Sequence, residues 1–374
     1  MQRHLLYGTS LVAAAMLAAG GAVAQDKKMM KLSISINGGF DALIGTVLDE
    51  EWSRGGSDQT PDTTGGDVKT DAEIHFNGRA TTDNGMKIHA RVELEGQNDT
   101  TFTNDGSKAD PIDEYFLSVS GSFGQIILGG TGGAPVKMLT GLSGSWATGV
   151  GETLSFDVNS WVPSAAGGPT HYYLQHSRLD TGDNEKVTYI SPKLAGFQIG
   201  ASYGPLGHNS DGDSNGRNKL DSHHDGFEVA ASYGGKFGDV GFGIGAGMTS
   251  YQGADGKAED DRSDWLVAGR LDFGGGFRVA AAHKQVTNES KAQQSQLTDV
   301  GVRYIAGANS FSLTGVMGEM DNDDRSYTAV MGSYARAMGP GVKWHLNLIH
   351  TESQADNGDE NTGLILVSGL RVKF

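Results

Sequence analysis

The sequence contains no cysteine and, beyond its N-terminal segment, no long apolar run. Because the 374 residues include no Cys, no disulfide stabilises the fold, although small exported proteins commonly depend on such bonds. The rest of the chain also lacks the ~20 consecutive apolar residues that a membrane-spanning helix requires. These two absences exclude a disulfide scaffold and a helical membrane protein.

Common catalytic motifs are missing as well. The chain has no Gly-x-Ser-x-Gly, no His-Glu-x-x-His and no thiol nucleophile. The glycine-rich stretch Gly129–Gly133 lacks the Gly-Lys-Ser/Thr ending of a phosphate-binding loop. Gly241, Gly243, Gly245 and Gly247 alternate along one segment, which is the wrong spacing for a dinucleotide fingerprint and is typical of one face of a strand. We therefore expect no enzymatic activity.

The N-terminus has the pattern of a cleaved export signal. Arg3 and His4 precede an apolar run from Leu11 to Ala19, and Ala22-Val23-Ala24 forms an A-x-A cleavage site. The alternative, an uncut membrane anchor, is disfavoured because the apolar run is too short to span a bilayer. We predict a signal peptide at 1–24 and one exported domain at 25–374.

A two-residue period dominates the exported part. At the C-terminus one face of a strand carries Leu364, Leu366, Ser368, Leu370, Val372 and Phe374. The segment 31–48 alternates in the same way. The runs 68–81 and 86–97 are joined by Asp83-Asn84-Gly85, which is a strong hairpin signal. Alternation in long segments of an exported chain predicts the wall of an outer-membrane barrel.

Short and long connections alternate along the chain. Short turns rich in Gly, Pro or Asn are predicted at 121–124, 192–196, 236–239, 274–276, 306–309 and 339–341. Long polar segments lie at 49–67, 98–111, 131–184, 205–224, 252–263, 288–296, 320–325 and 353–361. We therefore predict an all-β fold, a 16-stranded antiparallel transmembrane β-barrel with short periplasmic turns and long external loops.

Aromatic residues recur beside the short turns and at the C-terminus, as in an interfacial girdle. They are Phe123, Phe197, Phe237, Phe242, Phe273, Phe277, Tyr304, Phe311, Tyr334, Trp344 and Phe374.

Several local motifs resemble the trimeric general porins of Gram-negative bacteria, especially the alphaproteobacterial type. They are Asp113–Gly129, the turn Tyr189–Phe197, the turn Gly339–Gly341 and the terminal Phe374. The resemblance implies a water-filled channel for small hydrophilic solutes and ions across the bacterial outer membrane. It further implies an inward-folded third loop at 131–184, a homotrimer, contact with outer-membrane lipid and lipopolysaccharide, and no nucleic-acid partner.

Register across the Asp83-Asn84-Gly85 turn places charged residues at the pore constriction. A regular hairpin sets Arg79 opposite His89 and His75 opposite Glu93, with Arg91 between them on the same polar face. Further polar-face bases are Lys87, Arg270, Arg278, Arg303, Lys343 and Arg371. The third loop contains Glu152 and Asp157. Acids of the loop facing bases of the wall would create a transverse field across the constriction. Alternatively, any one of these charges is simply a solvated lumen residue.

The charge balance predicts mild cation selectivity. The formal charge is −16, and loss of the signal removes Arg3 but no acid, which gives −17. Acids concentrated in the long loops raise the local cation concentration.

One loop segment resembles half of a calcium site. Asp211, Asp213 and Asn215 have the alternating oxygen ligands of a calcium loop, but Ser222 occupies the position of the usual final acid. The alternative is a solvated loop with Asx turns. No cofactor is expected to be required, and calcium is the one candidate ion.

Three functional hypotheses follow. The first is a general diffusion channel, the second a solute-selective channel of the same fold, and the third a non-channel barrel acting as an enzyme or adhesin. Because selective anion channels usually carry a ladder of basic residues and the third loop is acidic, the first is favoured.

Overall fold

The computed structural model describes residues 32–59, 64–98, 112–151, 161–162, 178–206, 224–253, 261–288 and 294–374. The predicted signal peptide lies outside these ranges. So do Glu152 and Asp157 of the third loop and the calcium candidates Asp211, Asp213 and Asn215.

The described residues form seventeen strands. They are β1 (Ser33–Arg54), β2 (Ser57–Gln59), β3 (Gly66–Thr81), β4 (Lys87–Asn98), β5 (Ile112–Gly121), β6 (Gly124–Gly130), β7 (Glu185–Ile190), β8 (Phe197–Leu206), β9 (His224–Phe237), β10 (Val240–Gln252), β11 (Arg262–Asp272), β12 (Phe277–Asn288), β13 (Ser295–Ala306), β14 (Asn309–Met320), β15 (Ser326–Gly339), β16 (Val342–Gln354) and β17 (Glu360–Lys373).

Sixteen of these strands form a closed antiparallel barrel, which confirms the predicted fold. β1 pairs with β3 on one side and with β17 on the other, where Phe40 lies opposite Val372. The short β2 pairs with the end of β1 and extends the first hairpin. At the closing seam the Arg371 guanidinium donates to the Asp41 carboxylate at 2.6 and 2.7 Å. Arg371 therefore faces the interior, as its position in the final strand predicts.

β1 is longer than the alternation predicts. It continues to Arg54, although residues 49–54 were predicted to lie in the first loop. The reason lies in the partner strand, because β17 begins at Glu360 and pairs with β1 as far as Ser53. The hydrogen-bonding partner thus extends β1 beyond the point where its apolar alternation stops.

The short connections lie where turn residues predict them. In the first, Thr82 N–H donates to the Met86 carbonyl at 2.9 Å, and Gly85 adopts φ 83°, a conformation that glycine accepts without a steric penalty. We refer to this side of the barrel as the short-turn end and to the opposite side as the long-loop end.

The outer face is apolar, and aromatic side chains surround the short-turn end. Phe197, Phe237, Phe277 and Phe311 are exposed there. Neighbouring rings also contact one another, as for Phe311 and Tyr334, whose centroids are 5.2 Å apart. This arrangement confirms the predicted aromatic girdle, whose rings suit a membrane interface.

Helices occur in the third loop and in one turn of the described chain. They are α1 (Ala134–Leu139), a 3-10 turn (Thr140–Leu142), α2 (Gly144–Thr148) and a second 3-10 turn (Gly274–Gly276). No helix among the described residues has the length and apolar composition required to cross a membrane.

The inner face is not uniformly polar. A tryptophan cluster comprises the buried residues Leu43, Trp161, Val162, Leu297, Val316, Met320, Tyr327, Ala329, Met331, Ile349, Ile365 and Val367. A leucine cluster comprises Leu139, Leu142, Leu179, Ala230, Leu266, Ala268 and Ala282. Both clusters join residues of the third loop to inward-facing strand residues. The hydrophobic core therefore lies inside the barrel, between the wall and the loop.

Candidate functional site

The third loop packs against the inner wall through a stripe of glycines. A Cβ on Gly243 would lie 2.7 Å from Leu142, one on Gly245 would lie 2.5 Å from Leu139, and one on Gly247 would lie 2.8 Å from Leu139. Such distances are far below van der Waals contact, so α1 reaches the wall because these positions carry no side chain. The alternating glycines of β10 thus lie on one face of the strand, as predicted, and that face is turned to the lumen and receives the loop.

Wall residues accept hydrogen bonds from the loop backbone. Asp299, which is 1% exposed, accepts from Ser145 N–H at 2.7 Å and from Ser145 Oγ at 2.9 Å. Glu228 accepts from Thr181 N–H at 3.1 Å and from Thr181 Oγ1 at 2.7 Å. These bonds satisfy donors in the first turn of α2 and near the loop's return, which would otherwise be buried without a partner.

Basic residues of the wall donate to loop carbonyls. Arg270 Nη1 donates to Gly141 O at 2.8 Å, Arg278 Nη1 to Ala147 O at 3.1 Å, and Lys343 Nζ to Val150 O at 2.9 Å. Ala147 O belongs to the last turn of α2, where carbonyls lack intrahelical partners and are stabilised by cations. These predicted polar-face bases therefore act, at least in part, as anchors of the loop.

A second part of the loop covers the apolar side of the wall. Trp161, which is 6% exposed, and Val162 belong to the tryptophan cluster. A Cβ on Gly45 would clash with the Trp161 ring, and one on Gly363 would clash with Val162. The Lys69 ammonium lies 5.0 Å from the Trp161 ring centroid, within the range of a cation–π interaction. The loop is thus docked on two adjoining parts of the wall, β9–β12 through the leucine cluster and β13–β17 with β1 through the tryptophan cluster.

The wall formed by β3 and β4 brings five of the seven predicted constriction residues together. Arg79 lies opposite His89, and His75 lies opposite Glu93, in the predicted register. His75 Nε2 is 3.0 Å from Glu73 Oε2 and 3.1 Å from Glu93 Oε1. Arg91 forms an ion pair with the second carboxylate oxygen of Glu93.

His89 lies on the inner face of the same wall. Its Nε2 lies 2.9 Å from Asn77 Oδ1, and Arg79 Nη2 donates to that oxygen at 3.4 Å. The two remaining predicted residues, Glu152 and Asp157, fall outside the described residues. A field between these acids and the wall therefore stays a prediction.

Charge on this wall varies along the strands. Toward the long-loop end, the inner face carries the carboxylates of Asp71, Glu73, Glu93 and Glu95. Toward the short-turn end, the same face carries Arg79, Lys87, His89 and Arg91. The described wall thus has an axial separation of charge, in addition to the transverse field that the sequence predicts.

Two titratable groups near the root of the loop have displaced pKa values. Burial, together with the neighbouring carboxylates of Asp180 and Glu114, raises the pKa of Asp183 to about 7. Burial also lowers the pKa of Lys137, whose Nζ donates to Thr131 Oγ1 at 3.0 Å. Both groups lie where the loop joins the barrel wall, so their ionisation affects how the loop is held.

Sequence reasoning missed the acidic anchors Asp299 and Glu228. Their inward direction is readable from strand alternation, but nothing in the local sequence identifies a partner in the third loop. Ser145 lies 154 residues from Asp299, and Thr181 lies 47 residues from Glu228. Only the closed barrel brings these groups into contact.

Comparison with known proteins gives one family and a consistent fold. The family model described as Gram-negative porin matches residues 10–356. The chain is also similar to the structure of an anion-selective porin from Comamonas acidovorans, with a TM-score of 0.62, 15% identity, and coverage of 92% of this chain and 100% of the other.

Two further structures have the same architecture. The trimer form of OmpT from Vibrio cholerae gives a TM-score of 0.58 at 12% identity and covers 92% of this chain and 99% of the other. A mutant of Rh. blastica porin gives 0.55 at 14% identity, with coverage of 91% and 100%. At such identities these likenesses show the fold alone. No curated protein sequence matches the chain.

Proposed function

Because the chain belongs to the Gram-negative porin family, we propose that it acts as a general diffusion channel for small hydrophilic solutes and ions. The family and the closed barrel support a channel of the bacterial outer membrane and favour it over an enzyme. The solvation and charge of the lumen support general diffusion and an ion preference, and the outer surface of the barrel supports an assembly.

The observation that carries the proposal is that the described residues of the third loop leave part of the inner wall uncovered. Ser35, Asn37, Arg79 and Lys87 face the interior and are nevertheless exposed to solvent. The described residues of the loop cover the opposite wall through the tryptophan and leucine clusters, so this part of the loop narrows the lumen without filling it. A polar, solvated wall beside a docked loop supports passage of water and small hydrated solutes.

We propose mild cation selectivity from the charge at the long-loop end. Asp71, Glu73, Glu93 and Glu95 line the approach from that side, and carboxylates at a channel mouth raise the local cation concentration. The exposed Arg79 opposes this effect nearer the short-turn end. The Comamonas relative is described as anion-selective, so the balance between the two groups has to be measured.

The test is single-channel recording in a planar bilayer, followed by reversal potential across a salt gradient. We expect large, nearly ohmic steps and a weak preference for cations. Glu73→Gln should shift the reversal potential toward anions, and Arg79→Gln should shift it toward cations. Block by one solute at low concentration would favour a solute-selective channel. Anion preference of the unmodified protein would refute the cation proposal, and absence of steps would refute the channel.

We also propose a homotrimer. Ala42 on β1 and Leu364, Leu366 and Leu370 on β17 face outward on paired strands, and they contribute to a mainly apolar surface suited to subunit or lipid contact. A trimer form of the Vibrio cholerae relative supports the proposal. Mass measurement of the detergent-solubilised protein should give three chains, and a monomer would contradict it. Contact with lipopolysaccharide and calcium binding at Asp211, Asp213 and Asn215 stay predictions.

A further inference from the structure

The His75 imidazole lies between two carboxylates from different strands. Its Nε2 is 3.0 Å from Glu73 Oε2 on β3 and 3.1 Å from Glu93 Oε1 on β4. One ligand atom from each of the three residues lies within 4.8 Å of the other two. Three potential ligands, one nitrogen and two oxygens, therefore converge on one point of the inner wall.

We propose that Glu73, His75 and Glu93 bind a divalent transition-metal cation, with Zn²⁺ as the representative ion. A tetrahedral zinc with bonds of about 2.0–2.2 Å holds its ligand atoms roughly 3.3 Å apart, close to the two nitrogen–oxygen distances observed. With Nε2 protonated, the ring donates toward these carboxylates, and the metal takes the place of that proton. Imidazole combined with carboxylate suits zinc and its neighbours better than calcium or magnesium.

Groups around the three ligands hold them in place. Arg91 Nη2 forms an ion pair with Glu93 Oε2 and leaves Oε1 directed at His75. The same nitrogen lies 3.1 Å from Nδ1 and 3.2 Å from Nε2 of His75, so a zinc ion at Nε2 must displace this guanidinium contact. Asn37 Nδ2 lies 3.4 Å from His75 Nδ1, and Asn37 Oδ1 accepts from Asn77 Nδ2, so the two amides hold the imidazole on the side away from the carboxylates. Such contacts orient metal ligands and increase affinity.

A cavity beside the three ligands provides space for the cation and a path to it. A cavity of about 190 Å³ is lined by Asp41, Asp71, Glu73, Arg371 and other residues of the closing seam. Glu73 belongs both to this cavity and to the ligand group, and its side chain is 35% exposed. The cavity is large enough for several water molecules. A hydrated cation can therefore reach Glu73 from the lumen.

A second group of donors overlaps the first. Asp71, Glu73 and Glu95 also place one carboxylate oxygen each within 4.8 Å of the others. Glu73 is shared, so carboxylates continue from the His75 position toward the long-loop end. This array attracts a divalent cation to the site, and a bound cation in turn offsets the negative charge that we hold responsible for cation preference.

The test is calorimetric titration of the folded, full-length barrel in detergent with ZnCl₂ at a fixed pH of about 7, because metal binding releases protons from its ligands and the affinity depends on pH. We expect one zinc per chain. His75→Ala should weaken binding at least tenfold. The matched control is His89→Ala, because His89 lies on the same hairpin with an amide rather than carboxylates at its Nε2, and this variant should bind as the unmodified protein does.

Three outcomes would overturn the site: no zinc binding by the unmodified protein, equal loss in the two histidine variants, or Ca²⁺ competing at the same concentration as Zn²⁺. The last result would indicate general attraction by carboxylates. If His75→Ala fails to fold, Glu93→Gln provides the second variant, again with at least tenfold weakening expected. Because binding is measured without ion flux, a failure of the proposed selectivity leaves this test unaffected.

Discussion

Removal of the Asp299 carboxylate should release α2 from the barrel wall. This side chain is buried and accepts both Ser145 N–H and Ser145 Oγ at 2.7 and 2.9 Å. Hydrogen bonds to a charged group contribute roughly 1.5–3 kcal/mol each. Because Asp299→Ala also relieves the cost of burying a carboxylate, we take the low end, about 3 kcal/mol for the pair.

A loss of about 3 kcal/mol shifts the equilibrium between docked and detached α2 by roughly 150-fold, since 1.4 kcal/mol corresponds to a factor of ten. The loop keeps other anchors, including Arg278 and Lys343. We therefore expect partial detachment, with the barrel itself intact.

Single-channel recording and limited proteolysis provide the assay. Asp299→Ala should show greater open-channel noise and faster cleavage within 131–184 than the unmodified protein. Asp299→Asn preserves the shape and one acceptor oxygen and should give an intermediate result. If Asp299→Ala matches the unmodified protein in both measurements while the barrel is folded, the bonds to Ser145 do not hold the loop, and the reasoning is wrong.

Two further predictions concern loop packing and pH. Gly245→Ala should raise conductance noise and lower stability by about 1–3 kcal/mol, the usual range for overpacking, because its Cβ would lie 2.5 Å from Leu139. The outward Gly332 has nothing within 4 Å of an added Cβ, so Gly332→Ala serves as the control, and equal effects would refute the packing argument. The raised pKa of Asp183, about 7, means that the folded state binds its proton more tightly than the unfolded state does. Its stabilising contribution is therefore full below about pH 4 and is lost as pH rises through 7. Thermal unfolding of Asp183→Asn should lack that decline between about pH 4 and 7, and an unchanged profile would contradict the assignment.

The basic residues of the lumen perform two different tasks. Arg270, Arg278 and Lys343 donate to carbonyls of the third loop, whereas Arg79 remains exposed on the uncovered wall. Substitution of the first group therefore alters loop docking as well as charge. Experiments on selectivity are cleaner at Arg79 than at any of the three anchors.

Much of the fold is readable from local pattern. The hairpin across Asp83-Asn84-Gly85 has the predicted register, including His75 opposite Glu93, because a two-residue period and a tight turn leave one pairing that keeps apolar residues on one face. The same pattern orients Arg371 inward. The pattern underestimates the length of β1. Residues 49–54 do not alternate between apolar and polar, and they belong to the strand because β17 provides a hydrogen-bonding partner.

The sequence by itself determined the barrel class, the strand faces and the wall residues Arg79, His89, Arg91, His75 and Glu93, since these depend on alternation and turns between neighbouring segments. The tertiary structure alone decided what the third loop contacts. Trp161 meets Gly45, and Ser145 meets Asp299, across long separations in sequence. Such contacts depend on curvature and distance across the closed lumen, quantities that no local periodicity encodes.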